Sequence, residues 1–154
     1  LAGRLADGYI TTSGKAPELY TDVLLPALAE GLDKEGRERD AVDTLLEVKV
    51  SYDHHRDRAM QDTRNWAALA LTPDEKTGVE DPIEMQRLAD ALPVERAATR
   101  WIVSDDPAEM ISRIREYQEL GFNHLVFHAP GADQERFLRS FSAEVLPGLR
   151  QQTR

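Results

Sequence analysis

The chain has 154 residues, enough for one domain with a sizeable core, and 41% of them are hydrophobic, which excludes a disordered chain. No apolar run is long enough to predict a membrane span, and the absence of cysteine excludes disulfides and thiolate sites and fits a cytoplasmic location. The formal net charge of −9, without a basic cluster, argues against nucleic-acid and anionic-membrane binding, so an anionic ligand would need a local positive site.

The N-terminal part of the sequence predicts a strand followed by a helix. The β-branched run from Gly8 to Ser13 indicates a short strand that Gly14 ends. A helix is expected to begin at Pro17 and to be kinked or split by Pro26. The charged segment 31–43 is expected to hold the helix end and a loop.

The clearest strand is expected from Thr44 to Tyr52, where hydrophobic residues alternate with polar ones. One face carries Leu46, Val48, Val50 and Tyr52, and the other carries Glu47, Lys49 and Ser51. In a barrel the polar face would point inside, where Glu47 and Lys49 would form an ion-pair network. In an open sheet that face would meet water instead.

Helices and short strands alternate along the rest of the chain, which is typical of parallel βα units. N-cap signals stand at Thr72-Pro73, Asp81-Pro82 and Asp106-Pro107, and Gly121 ends a helix. Further helices are expected over 55–71, 93–99, 107–120 and through 137–149, and further strands over 101–104 and 123–128. A complete (β/α)8 barrel takes about 250 residues, so a chain with three to four strands is too short for one, and its length does not suit a regular doubly wound sheet either.

Three places along the chain could bind an anion. Thr12 and Lys15, with Ser13 and Gly14 between them, offer hydroxyls, close backbone approach and an ammonium group after the first strand, although Ser13 could cap the helix and Lys15 could be solvated. The sequence around Lys76 predicts an ordinary surface lysine, because lysine side chains are mostly exposed. Arg100, before the strand at 101–104, could bind a phosphate with two parallel N–H bonds or pair with a carboxylate.

The four histidines do not predict a metal site. His54 and His55 are consecutive at a junction between a strand and a helix. His124 and His128 share a strand face but lie about 13 Å apart, too far to share one ion. We therefore expect no metal.

Several stretches together resemble one family, and the resemblance covers nearly the whole chain. These stretches are Gly3-Arg4, Asp7-Gly8, Thr12-Ser13-Gly14-Lys15, Asp81-Pro82-Ile83-Glu84-Met85, Ala89-Asp90-Ala91-Leu92-Pro93, Arg100-Trp101-Ile102-Val103 and the run from Asn123 to Gly131. The joint pattern resembles the coenzyme F420-dependent glucose-6-phosphate dehydrogenases of actinobacteria, which are luciferase-like (β/α)8 barrels and usually homodimers.

The resemblance implies that residues 1–154 form the C-terminal part of a single barrel domain. It implies oxidation of glucose 6-phosphate to 6-phosphogluconolactone by the intact protein, with hydride transfer to F420. Thr12, Lys15, Lys76 and Arg100 match the family's phosphate ligands. The family's catalytic His and Glu, and its coenzyme-binding Asp, belong to the N-terminal portion, so we assign no catalytic residue to this chain.

Two alternatives remain open from the sequence. The chain could be a catalytically inactive fragment or an assembly module, and we expect no turnover from these 154 residues alone. Its open sheet edges would then favour pairing with a second copy, unless it is the ordered remnant of a cleaved enzyme. The second alternative is a related F420- or flavin-dependent luciferase-like enzyme with another alcohol substrate.

Overall fold

The computed structural model describes residues 1–150, which fall into two compact units. The first unit comprises Leu1–Val48 and Ile114–Phe127, and the second comprises Lys49–Arg113 and the chain from His128. In chain order the strands and α-helices are α1 (Ala2–Leu5), β1 (Gly8–Thr12), α2 (Leu25–Lys34), β2 (Asp43–Tyr52), α3 (Arg56–Asp62), α4 (Pro73–Lys76), α5 (Pro82–Asp90), α6 (Val94–Ala98), β3 (Ile102–Ser104), α7 (Pro107–Gln118), β4 (His124–His128), α8 (Gln134–Glu144) and α9 (Leu146–Arg150).

Strand pairing confirms the predicted α/β class with parallel strands. In the first unit β1 lies parallel to β2, with Gly8 opposite Asp43 and Thr12 opposite Glu47. β4 also pairs with β2. In the second unit the end of β2 lies parallel to β3, from Val50 opposite Ile102 onward. All four strands lie within two residues of their predicted positions.

Both faces of β2 are buried in its second half, from Val48 to Tyr52. Leu46, Val48 and Val50 are fully inaccessible to solvent, as the alternation predicted. On the polar face Lys49 is 5% exposed and Ser51 is 2% exposed, so the alternative of an open sheet with this face in water is wrong for these two residues. The Ser51 hydroxyl donates to the Ala59 carbonyl at 2.7 Å, which satisfies it without solvent.

The helices depart from prediction at three places. The helix at Pro17 begins as expected, but residues Leu19–Leu24 are π-helical, and α-helical bonding starts one residue before Pro26, which has no N–H to donate. The single helix predicted over 55–71 is wrong: α3 is followed by a 3₁₀ helix, Thr63–Ala70, with non-helical dihedrals at Trp66. The last helix is divided at Val145, two residues before Pro147.

Each unit has its own hydrophobic core. In the first, Leu28 and Leu32 of α2 pack with Val42, while the ring of Tyr20 meets the rings of Tyr117 and Phe122 edge-on. In the second, one cluster packs α6 and α5 against the 3₁₀ helix and consists of Ala67, Leu71, Ala89, Leu92 and Ala97. No described helix is both long and apolar enough to cross a bilayer.

In the first unit, α1 meets α2 so closely that only glycine fits at the contact. A Cβ on Gly3 would collide with the Leu28 carbonyl oxygen and lie 2.9 Å from the Leu32 amide nitrogen. Backbone atoms cannot move aside as a flexible side chain can, so the two helices would have to separate.

We therefore predict that Gly3→Ala lowers the free energy of unfolding by about 1–3 kcal/mol, the usual cost of overpacking. Gly8→Ala is the control, because its added Cβ would meet nothing closer than 3.7 Å. Urea unfolding of both variants measures the difference. Equal stabilities for the two variants would show that α1 does not pack on α2 in this way.

Candidate phosphate-binding site

The loop after β1 is held in place by two tyrosines. The Tyr20 hydroxyl donates to the carbonyl of Thr12 at 2.8 Å, and the backbone N–H of Gly14 donates to the Tyr117 hydroxyl at 3.3 Å. Gly14 has a φ of 79°, which favours glycine, and the N–H of Ser13 continues the ladder to Glu47 at 2.8 Å. The loop is therefore fixed before any ligand arrives.

The backbone N–H of Gly14 is occupied by the Tyr117 hydroxyl, so an anion would have to displace that hydroxyl to reach it. The sequence gives no separate signal for the hydroxyls of Tyr20 and Tyr117, because a tyrosine on an apolar helix face is usually core.

Lys15 is exposed and makes no ion pair or side-chain hydrogen bond with any residue in 1–150. A solvated lysine beside a fixed loop can approach an anion without first breaking another contact. The exposure of Lys15 fits both of the sequence-based interpretations, the phosphate ligand and the solvated lysine.

Lys76 ends the short helix α4, whose first turn is closed by a capping box. The Thr72 hydroxyl accepts the N–H of Glu75, while the Glu75 carboxylate accepts the N–H of Thr72 at 2.7 Å. Lys76 is half-buried, in contrast to the surface lysine that the sequence alone predicted, and residues 1–150 offer it no ion-pair partner.

Arg100 follows α6 and directly precedes Trp101 and β3. Its side chain is half-buried, and its Nε atom is shielded from solvent without a hydrogen-bond partner in the described chain. The alternative interpretation, a carboxylate paired with Arg100, is therefore wrong within residues 1–150. A shielded, unpaired guanidinium nitrogen costs free energy that an incoming anion would recover.

Lys76 and Arg100 stand apart from the other cations of the described chain. Three more cationic side chains lack a partner there, Lys15, Arg87 and Arg113, but all three are exposed and keep their hydration. The half-buried cations without a partner are thus two of the predicted phosphate ligands. Partial desolvation without a counter-charge is the condition under which binding an external anion is most favourable.

The four predicted ligands are divided between the compact units. Thr12 and Lys15 belong to the first unit, and Lys76 and Arg100 to the second. The geometry given above therefore applies to Thr12 and Lys15 within the first unit and to Lys76 and Arg100 within the second. Binding of one phosphate by all four residues stays a prediction.

Arg136, a half-buried arginine of the second unit, shows the opposite arrangement. Arg136 lies 2.8 Å from the carboxylate of Asp53, which is 3% exposed, and 2.6 Å from that of Asp62. Two carboxylates neutralise this guanidinium, so it has no charge to offer a ligand. Arg100 differs from Arg136 in having no carboxylate within ion-pair distance in residues 1–150.

Three of the four histidines have side-chain partners in the described chain, namely His54, His124 and His128. His54 lies 3.2 Å from the carboxylate of Glu144. The same carboxylate accepts a hydrogen bond from the hydroxyl of Tyr52. Burial, and then the hydrogen bond to Glu144, raises the pKa of Tyr52. His128 meets the rings of Trp66 and Trp101 edge-on. No group of three or more metal-binding side chains occurs in the part of the chain that the structure describes.

Arg96 of α6 binds the carboxylate of Glu75 with two N–H groups. Nη1 donates to Oε1 at 2.8 Å and Nη2 donates to Oε2, while Nη2 also reaches the carbonyl of Ala70 at 3.2 Å. The hydrogen bond from Arg96, and then the N–H of Thr72, lower the pKa of Glu75 to about 2. Glu75 is therefore an ion at every pH at which the protein would act.

Comparison with known proteins agrees with this architecture. Residues 1–124 match the family model described as luciferase-like monooxygenase. The chain belongs to the luciferase-like family. A solved F420-dependent secondary alcohol dehydrogenase, complexed with an F420-acetone adduct, superimposes with a TM-score of 0.77 at 27% identity over 97% of this chain and 44% of that one. The predicted partial luciferase-like fold is confirmed.

Two similar curated sequences carry the same name. An F420-dependent glucose-6-phosphate dehydrogenase of Nakamurella multipartita is 68% identical over 97% of this chain, and that of Microbacterium testaceum is 66% identical over 97%. The chain covers 44% and 45% of these two proteins. It therefore spans less than half the length of the curated relatives it matches.

The lowered pKa of Glu75 predicts a pH-dependent contribution to stability. A carboxylate with a folded pKa of about 2 and an ordinary value of 4.5 stabilises the fold above pH 4.5. This contribution declines as the pH falls from 4.5 towards about 2. The difference in Tm between the parent and Glu75→Gln should therefore narrow over this interval. A Tm difference independent of pH would show that Arg96 does not bind the ionised form.

Proposed function

We propose that this chain is the substrate-binding portion of an F420-dependent glucose-6-phosphate dehydrogenase and that Thr12, Lys15, Lys76 and Arg100 bind the substrate phosphate. The observation that carries the proposal is the pair of half-buried cations, Lys76 and Arg100, without a counter-charge in residues 1–150. The choice of glucose 6-phosphate as substrate and F420 as coenzyme is based on the names of the relatives at 68% and 66% identity.

The charges of the proposed ligands match those of a phosphate monoester. At pH 7 such a group carries a charge of about −1.5 to −2 and presents three strong acceptor oxygens. Two ammonium groups and one guanidinium would neutralise it, and the guanidinium can bind two of its oxygens at once. This local positive charge would attract the phosphate although the chain as a whole, with a net charge of −9, repels anions.

The role of this part is to place the sugar rather than to transfer the hydride. In the proposed reaction C1 of the sugar loses a hydride and the C1 hydroxyl loses a proton, which leaves the lactone. F420 would supply the two-electron acceptor when bound. A phosphate fixed at the far end of the sugar restricts how C1 can lie, and that restriction lowers the entropic part of the barrier.

The same cations could also bind an anionic group of the coenzyme. Separate KM values for glucose 6-phosphate and for F420 distinguish these two ligands. A neutral alcohol is disfavoured as the natural substrate, because it would leave Lys76 and Arg100 without a counter-charge. The single barrel domain and the homodimer that the resemblance implies stay predictions.

The test uses a chimeric enzyme in which this chain replaces the corresponding 44% of the Nakamurella multipartita relative. Arg100→Ala should raise the KM for glucose 6-phosphate about 10- to 100-fold, because a hydrogen-bonded charge pair is lost. The KM for F420 should stay unchanged. Steady-state reduction of F420 measures both constants. Arg87→Ala, which removes an exposed and unpaired cation of the same unit, is the matched control.

Three results would contradict the proposal. One is an Arg100→Ala variant with the same KM for glucose 6-phosphate as Arg87→Ala. Another is a rise in the KM for F420 instead, which would assign the cation to the coenzyme. The third is an equal loss of kcat/KM with unphosphorylated glucose, since that substrate has no phosphate for Arg100 to bind.

A further inference from the structure

The helix that carries Lys76 is not held by hydrophobic packing. α4 has four residues and none of them is buried. A helix this short is unstable by itself, because it has too few internal hydrogen bonds to offset the cost of forming the first turn. Leu71, just before the helix, is buried in the core of the second unit, and the contacts of α4 itself are polar: the capping box at Thr72 and the ion pair with Arg96.

Arg96, in contrast, belongs to a helix that is packed into the hydrophobic core. Its neighbour Ala97 is 1% exposed and belongs to the cluster that packs α6 against α5 and the 3₁₀ helix. Its Nη2 also donates to the carbonyl of Ala70, at the end of that 3₁₀ helix. The guanidinium is thus fixed relative to the core of the second unit, and Glu75 is fixed relative to the guanidinium.

We propose that Arg96, acting through Glu75, positions Lys76 for the substrate phosphate. This inference rests on the function proposed above. Glu75 and Lys76 are consecutive in α4, so holding the carboxylate of Glu75 also holds the backbone from which Lys76 extends. The flexible stem of a lysine can reach in many directions, and only a fixed starting point makes its ammonium group a specific ligand.

The pair also has an electrostatic effect on the site. Glu75 would otherwise present an unpaired carboxylate one residue away from the cation that is to bind an anion. Arg96 binds both oxygens of this carboxylate, so Glu75 competes less with an anionic ligand for Lys76. Arg96 and Glu75 are positioning residues in this account, since neither is proposed to touch the substrate.

The experiment measures steady-state kinetics of the chimera with Arg96→Ala and with Glu75→Gln. Glu75→Gln keeps an oxygen for the N–H of Thr72 but loses the charge, so it tests the ion pair with less risk to folding. Each variant should raise the KM for glucose 6-phosphate about threefold to fivefold, the range of a well-formed partly exposed ion pair, with kcat and the KM for F420 unchanged.

The matched control is Arg4→Ala. The pair Arg4–Glu35 belongs to the first unit and joins α1 to the residue after α2, and its glutamate is 36% exposed, against 37% for Glu75. We expect Arg4→Ala to lower the Tm about as much as Arg96→Ala does while leaving the KM for glucose 6-phosphate unchanged. A mere loss of stability would give both variants the same KM.

The deciding measurement combines Arg96→Ala with Lys76→Ala. A positioning role requires that Arg96→Ala raise the KM no further once Lys76 is gone. Full additivity of the two effects, or single variants at 75 and 96 with the parent KM, would overturn the inference. If Lys76→Ala and Arg100→Ala themselves leave the KM unchanged, the proposed function fails instead, so the two failures are distinguishable.

Discussion

A cation that is partly withdrawn from water needs a counter-charge, and Arg100 and Lys76 have none within residues 1–150. Arg136, in the same unit, has such counter-charges, because it forms ion pairs with the carboxylates of Asp53 and Asp62. The chain is acidic as a whole, so carboxylates are abundant. Neither Arg100 nor Lys76 has a carboxylate within ion-pair distance in residues 1–150, so an external anion would supply the missing counter-charge.

Backbone rigidity supports the proposed ligands in both units, by different means. In the first unit two tyrosine hydroxyls fix the loop that carries Lys15, and one of them accepts the N–H of Gly14. In the second unit the ion pair of Glu75 with Arg96 fixes α4, which has no buried residue. Ligands that are fixed before binding lose less entropy when the substrate arrives.

The sequence predicted the strands better than the helices, for physical reasons. β2 was evident because its hydrophobic alternation is strong, and the N-caps at Thr72 and Asp81 were evident because their side chains satisfy backbone N–H groups locally. The non-helical dihedrals at Trp66 were not predictable, since that ring packs edge-on against His128, which is distant in sequence. The unpaired state of Arg100 was equally invisible, because a sequence cannot show that no carboxylate folds next to it.

The chain belongs to the luciferase-like family, and a relative at 68% identity is named an F420-dependent glucose-6-phosphate dehydrogenase. A crystal structure of the chimeric enzyme with glucose 6-phosphate would show whether the cations without a counter-charge bind the substrate phosphate. We expect phosphate oxygens about 2.7–3.2 Å from the nitrogens of Lys15, Lys76 and Arg100 and from the hydroxyl of Thr12. A sugar phosphate bound elsewhere, with Arg100 paired to a carboxylate of the protein, would contradict it.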